Sequence, residues 1–264
     1  MPDEQLSLLL GGFVFVGGAI GLVLQRVLPE RYTTGGPRDM IGAVAGLLTL
    51  LSALVLGLLI WTAYGVYSGQ NIAVQTLAAK LLQLDRALVD YGPDADAGRA
   101  LLRQDLAGTI KEIWESNQGA ADFAAHNFAD ANDNLRRKQS YVESLTPETD
   151  KQKQALAAAM QTIDSIRQSR LQMSFALESP VSYPLVYVVI AWATGLFCGF
   201  GLMSRGNPMS IVALAFGAFA VTSAVYVILD LSSPYSGIFR ASPAPLEQVL
   251  AYMEQERGAV GAAR

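Results

Sequence analysis

One cysteine, Cys198, and one histidine, His126, occur in the whole chain. No intrachain disulfide can form, and a cysteine-based metal site has no second ligand. His126 has neither a cysteine nor another histidine near it and reads as a solvated surface side chain. Charge is also scarce: 16% of residues are Asp, Glu, Lys or Arg, against roughly 25% in average soluble chains. The formal net charge of −4 argues against a nucleic-acid partner, which would need a basic stripe. The GxSxG, P-loop, HExxH and CxxC patterns are missing, as is a paired-carboxylate signature. We therefore expect no enzyme, no catalytic residue, no metal and no cofactor.

What the chain does have is apolar length. Apolar residues make up 52% of it, gathered into blocks rather than spread periodically. Two runs, Leu6 to Leu28 and Met40 to Gly65, precede a polar stretch of about 110 residues, and Tyr183 to Met203 and Pro208 to Leu229 follow it. Each exceeds the roughly 20 apolar residues that cross a bilayer at 1.5 Å rise. Lipid offers exposed backbone no hydrogen bonds, so these spans should be helices. The expected fold is all-α, an integral membrane protein with four transmembrane helices and a helical-bundle insert between the second and third. Membrane lipid is then an obligatory partner. The start, Met1-Pro2-Asp3-Glu4-Gln5, lacks a basic n-region, so the first run is expected to be a retained helix rather than a signal peptide.

Lys and Arg in short loops set orientation. Arg26, Arg31 and Arg38 lie around the first turn and Arg205 in the turn between spans 3 and 4, whereas the segment before span 1 carries Asp3 and Glu4. Both short turns are expected to face the cytoplasm, which makes the central insert extracytoplasmic.

Within the insert, Val74, Leu77, Leu81, Leu84 and Leu88 recur at three- and four-residue steps and predict one face of an amphipathic helix continuing span 2. Tyr91-Gly92-Pro93-Asp94 reads as stop, turn and N-cap. A second helix carries Leu101, Leu102, Leu106, Ile110, Ile113 and Trp114, and the segment from Ala120 to Asn134 reads as a short helix or irregular link. Leu135 to Leu145 is expected to be helical. Thr146-Pro147-Glu148 reads as the cap of a helix reaching about Leu177, with Leu156, Met160, Ile163, Ile166, Leu171 and Phe175 at helical spacing. A short helix from Leu246 to Arg257 follows span 4. The expected division is 1–69 for the first two spans, 70–180 for the extramembrane domain, 181–231 for the last two spans and 232–264 for a turn and short helix.

Glycines four apart, Gly17 and Gly21, Gly42 and Gly46, Gly195 and Gly199, let helix backbones approach in lipid, within one chain or between chains. Asp230 ends span 4 and reads as an interfacial residue capping the turn before Pro234. Arg136-Arg137-Lys138 reads as a solvated helix face, and Asp94 and Asp96 as acidic residues favoured at a helix start.

Two spans, a helical insert containing Tyr91-Gly92-Pro93, two further spans, the turn Asp230-Leu231-Ser232-Ser233-Pro234-Tyr235-Ser236-Gly237 and then Ser242-Pro243-Ala244-Pro245-Leu246 form a pattern. It resembles the bestrophin-like family of bacterial membrane proteins. Asp230, Pro234, Tyr235 and Gly237 are the signature positions. The resemblance implies kinship with pentameric chloride channels whose second span lines a pore with a hydrophobic neck. It thus implies a multi-pass protein of the bacterial inner membrane, assembled as a homo-oligomer, with Leu51, Leu54, Leu58 and Trp61 as candidate pore-lining residues. Here that span is rich in leucine rather than stacked aromatics. Bestrophins also keep the insert in the cytosol, against the orientation expected from the loop charges. The competing expectation is a membrane-anchored interaction or sensor protein that binds a ligand or protein partner through its helical extramembrane domain.

Overall fold

The computed structural model describes residues 3–29, 35–115, 135–178, 183–204, 208–235 and 237–262. Every regular element among them is helical: α1 (Asp3–Val27), α2 (Gly36–Tyr91), α3 (Asp96–Ile110), α4 (135–143), α5 (Asp150–Glu178), α6 (Tyr183–Met203), α7 (Pro208–Leu231) and α8 (Ala244–Ala262). Four of these, α1, α2, α6 and α7, are long and apolar enough to cross a bilayer. The all-α membrane architecture expected from hydropathy is the one observed. The segment Ala120 to Asn134 and His126 within it lie outside the described residues.

The chain divides into two compact units, Met1–Gly65 with Pro180–Ser232, and Val66–Ser179 with Ser233–Arg264. Helix α2 contributes to both. At 56 residues it extends ~84 Å by its rise per residue, more than twice a hydrocarbon core of about 30 Å. Many of its buried positions, Ala45, Ser52, Leu59, Ala63, Gln70, Val74, Leu77, Leu81, Leu84, Leu88 and Tyr91 among them, recur at sevens, fours and threes. Within each unit such spacing keeps one face of the helix toward its neighbours.

In the first unit α1 packs against α6 and α7, and α6 against α7. Glycine makes this possible. A Cβ on Gly17 would stand 2.7 Å from the Thr194 carbonyl oxygen, one on Gly21 would collide with the Cys198 carbonyl, and one on Gly201 with the Gly18 carbonyl. The backbones meet where side chains are missing, as small residues allow in lipid.

The second unit has a core of its own. Leu81 and Leu84 of α2, Leu102 and Leu106 of α3, Leu135 and Val142 of α4, Ile163 and Ile166 of α5, and Leu246 and Met253 of α8 are buried together. The expected apolar faces hold, except that Leu101 is 40% and Phe175 64% exposed. Helix α2 ends at Tyr91, with Gly92 at φ 116 as the stop. Asp94 is not the N-cap expected of it. Pro93–Ala95 forms a 3-10 turn and Ala95 takes the cap position of α3 without a side-chain bond. Asp96 remains in the first turn, where the helix dipole favours an acid. The cap of α5 also lies later than expected. Thr149, not Thr146, accepts the Gln152 N–H at 3.2 Å, while the Gln152 side chain accepts the Thr149 N–H at 3.1 Å. This reciprocal capping box satisfies two donors that Thr146 could serve only singly.

Ion pairs inside this unit tie its helices together. Asp85, fully buried on α2, accepts both Nε–H of Arg99 at 2.9 Å and Nη2–H at 3.1 Å. Arg99 also reaches Glu256 of α8 at 3.2 Å, and Glu256 accepts the Tyr252 hydroxyl at 2.9 Å and pairs with Arg86 at 3.3 Å. The Arg86 guanidinium lies 4.9 Å from the Tyr252 ring centre. The hydrogen bonds that it donates to Asp85 hold the Arg99 guanidinium above its ordinary range. Lys138 corrects the solvated-face reading: Arg136 and Arg137 are exposed, but Lys138 is buried and pairs with Asp105 at 2.9 Å. Burial pulls its ammonium below its ordinary value, against the opposing pull of Asp105.

Two outcomes follow for the detergent-solubilised chain. Gly21→Ala should destabilise it by about 1–3 kcal/mol through overpacking, whereas Gly46→Ala, which meets nothing within 4 Å, should leave the thermal midpoint unchanged. Arg99→Leu should cost about 3–5 kcal/mol by leaving Asp85 charged and buried, and adding Asp85→Leu should recover a large part of that loss. Loss of helical circular dichroism on heating measures all four variants.

Candidate functional site

Two places hold the candidate residues of the sequence: the outer face of α2 in the first unit and the turn that follows α7. At about 100° per residue, Leu51, Leu54, Leu58 and Trp61 share one face of α2, opposite its buried seam. All four are exposed, Leu54 to 71% and Trp61 to 73%. Of the four spans α2 is the least covered by its own chain, with 17% of its most apolar window buried against 39% for α1. A leucine face left open in one copy can meet lipid, or it can meet other copies around a common axis.

The glycine pairs serve different ends. Gly17 and Gly21 are used up between α1 and α6. A Cβ on Gly42 or Gly199 would make ordinary contacts, 3.6 Å to Met203 Cε and 3.7 Å to Ile41 Cγ2, and Gly46 and Gly195 face open space. Gly195, Gly199 and Leu196 of α6, with Met40, Val44 and Leu48 of α2, line an apolar groove of about 340 Å³.

The signature residues divide between the units. Asp230 is buried near the end of α7, with the Tyr226 hydroxyl 3.5 Å from its Oδ1. Beyond α7 the chain folds back: the Ala241 N–H donates to the Pro234 carbonyl at 2.7 Å, and Gly237 at φ 80 supplies the left-handed residue that the turn needs. Tyr235 points into the core of the second unit and is 5% exposed. Its hydroxyl donates to Gln70 Oε1 at 2.9 Å, and Gln70 Nε2–H donates to the Met173 carbonyl at 3.2 Å. The Trp114 ring meets Tyr235 edge-on at 6.0 Å, and Trp114 Nε1–H donates to the Ala241 carbonyl at 2.6 Å. The signature turn is thus a plug that binds α2, α5 and the segment after α3. Gln70 was missed in the sequence because its partners lie more than 100 residues away, and a lone Gln among apolar neighbours carries no periodic signal.

Among the described residues no group of three His, Cys, Asp or Glu side chains could hold a metal ion. Among the described residues of the second unit, the buried charges Asp85, Arg99 and Lys138 pair between helices.

Burial pushes the Tyr235 phenol well above its ordinary 10.0. Its neutral form is therefore favoured by folding. That contribution is complete below pH 10 and is lost as pH rises from about 10 toward the elevated folded value. Tyr235→Phe should weaken the alkaline loss of stability seen by circular dichroism. At neutral pH it should cost about 1–3 kcal/mol by leaving the Gln70 carbonyl oxygen without its donor.

A family model described as Bestrophin-like domain matches residues 11–246. Neither the curated proteins nor the solved structures yield a match to the chain. The matched stretch runs from α1 through the signature turn into α8 and takes in both units. This multi-pass membrane protein belongs to the bestrophin-like family.

Proposed function

We propose that this chain is the subunit of a homo-oligomeric ion channel, with anions as the permeating class, in which α2 from each copy lines the pore. The observation that carries the reading is the open face of α2. Leu51, Leu54, Leu58 and Trp61 lie together on the span that its own chain covers least. One copy offers too few helices to enclose a path for ions, so a pore requires several. Narrowed by leucine, such a pore would gate by dewetting rather than by binding an ion. Family membership supports the same reading, and the anion assignment rests on it alone.

For orientation, Arg26, Arg31, Arg38 and Arg205 near the short turns support a cytoplasmic side for those turns and an extracytoplasmic second unit. In a Cys198→Ala background, an impermeant thiol reagent applied to intact cells should label a cysteine placed at Asn132 and spare one placed at Gly36. The reverse pattern would invert the topology.

Chloride efflux from liposomes containing the purified protein tests conduction. Flux should be present and should rise when Leu54 and Leu58 are replaced by alanine, because a wider and less apolar constriction wets more readily. If folded, inserted protein gives no flux in either form, the channel reading fails and a membrane-anchored interaction protein takes its place.

A further inference from the structure

Exposed apolar side chains are expected where lipid covers a span, but outside the spans they expose a surface that water disfavours. Among the described residues of the second unit, the two most exposed large apolar side chains are Ile238 at 74% and Phe175 at 64%, and Phe239 beside Ile238 is 41% exposed. Although far apart in sequence, they belong to one end of the unit. Gln70 donates to the carbonyl of Met173, two residues before Phe175, and accepts from the hydroxyl of Tyr235, three residues before Ile238.

That end is also where the chain meets its spans. Phe175 lies eight residues before the start of α6. The Ala241 N–H bond to the Pro234 carbonyl closes the loop over 235–240. Pro234 itself lies three residues beyond the end of α7, which chain geometry limits to ~10 Å. Helix α7 has 24 residues, ~36 Å of rise, against a hydrocarbon core of about 30 Å, so its ends reach the headgroup layer. Arg240 closes the same loop by donating Nε–H to the Gly237 carbonyl at 3.1 Å. A pair of apolar side chains beside an arginine suits the boundary between acyl chains and phosphates, with the rings and branches in the first and the guanidinium at the second.

We propose that the loop Gly237–Arg240 together with Phe175 is an interfacial anchor, seated in the headgroup layer of the bilayer that the chain spans. Ile238, Phe239 and Phe175 enter the acyl boundary and Arg240 meets lipid phosphate. The anchor fixes this loop and Phe175 to the lipid surface independently of whether the protein conducts ions. The exposed apolar cluster is explained by lipid rather than by a soluble partner or a second copy.

The test uses the full chain in a Cys198→Ala background, with Ile238→Cys, Phe175→Cys or, as reference, Asp150→Cys, whose native side chain is 91% exposed. Each is labelled with an environment-sensitive nitrobenzoxadiazole dye and reconstituted into vesicles of phosphatidylcholine and phosphatidylglycerol, with and without a lipid bearing a nitroxide near the headgroup end of its acyl chain. The dye at 238 and at 175 should emit to the blue of the dye at 150 and be quenched several-fold more strongly by the nitroxide lipid. Water-like emission, quenched no more than at 150, would overturn the anchor. Blue-shifted emission that the nitroxide does not quench would overturn it too, by showing that protein covers the site. All three substitutions are at exposed positions, so the fold is not at stake.

Discussion

Lipid provides backbone N–H and C=O groups with no partners, and most of this structure follows from that constraint. It makes each span a helix, and it removes the hydrophobic drive that packs helices together in water. What remains is close contact between backbones. In the first unit Gly17, Gly21 and Gly201 provide it, allowing α1 and α6 to meet at distances that any side chain would forbid. Helix α2 lacks such an arrangement and is correspondingly less covered. The low coverage of α2 and the tight seating of α1 are two consequences of where glycine falls.

Outside the spans water returns, and the rules change with it. The second unit is built as a soluble helical bundle, with leucine and isoleucine at its centre and charges paired across helices. The Asp85–Arg99 pair is costly to desolvate and costlier to break, so it fixes the register of α2, α3 and α8 more than it adds net stability. The signature turn supplies the other fastening. Tyr235 enters the core with its hydroxyl satisfied by Gln70 and its ring against Trp114. The polypeptide leaving α7 is thereby bound to α2 at Gln70.

This arrangement gives the family signature a physical meaning. Asp230, Pro234, Tyr235 and Gly237 read in the sequence as one motif, but their roles differ. Asp230 is buried with the span, Pro234 and Gly237 shape the turn, and Tyr235 fills and hydrogen-bonds the core. None of them lines the apolar groove between α2 and α6. The family resemblance thus rests on residues that hold the fold, while the leucines assigned to the pore are ordinary members of an apolar run.

Whatever depends on neighbours in sequence was legible without the structure. Apolar length marked the four spans, and steps of three and four marked the buried face of α2 from Val74 to Leu88. Tyr91-Gly92 marked its end. The caps were half legible. Thr146 reads as the N-cap in the sequence, but Gln152 completes a box with Thr149 instead. What tertiary structure alone decided was everything that joins distant residues: the partners of Gln70, the burial of Lys138, and the assignment of Gly17 and Gly21 to packing while Gly46 and Gly195 stay open. It also decided which face of α2 turns outward, because an all-apolar helix has no polar side to announce its rotation. Local periodicity determines that a helix forms and how long it is. Only packing against specific neighbours determines what each of its faces meets.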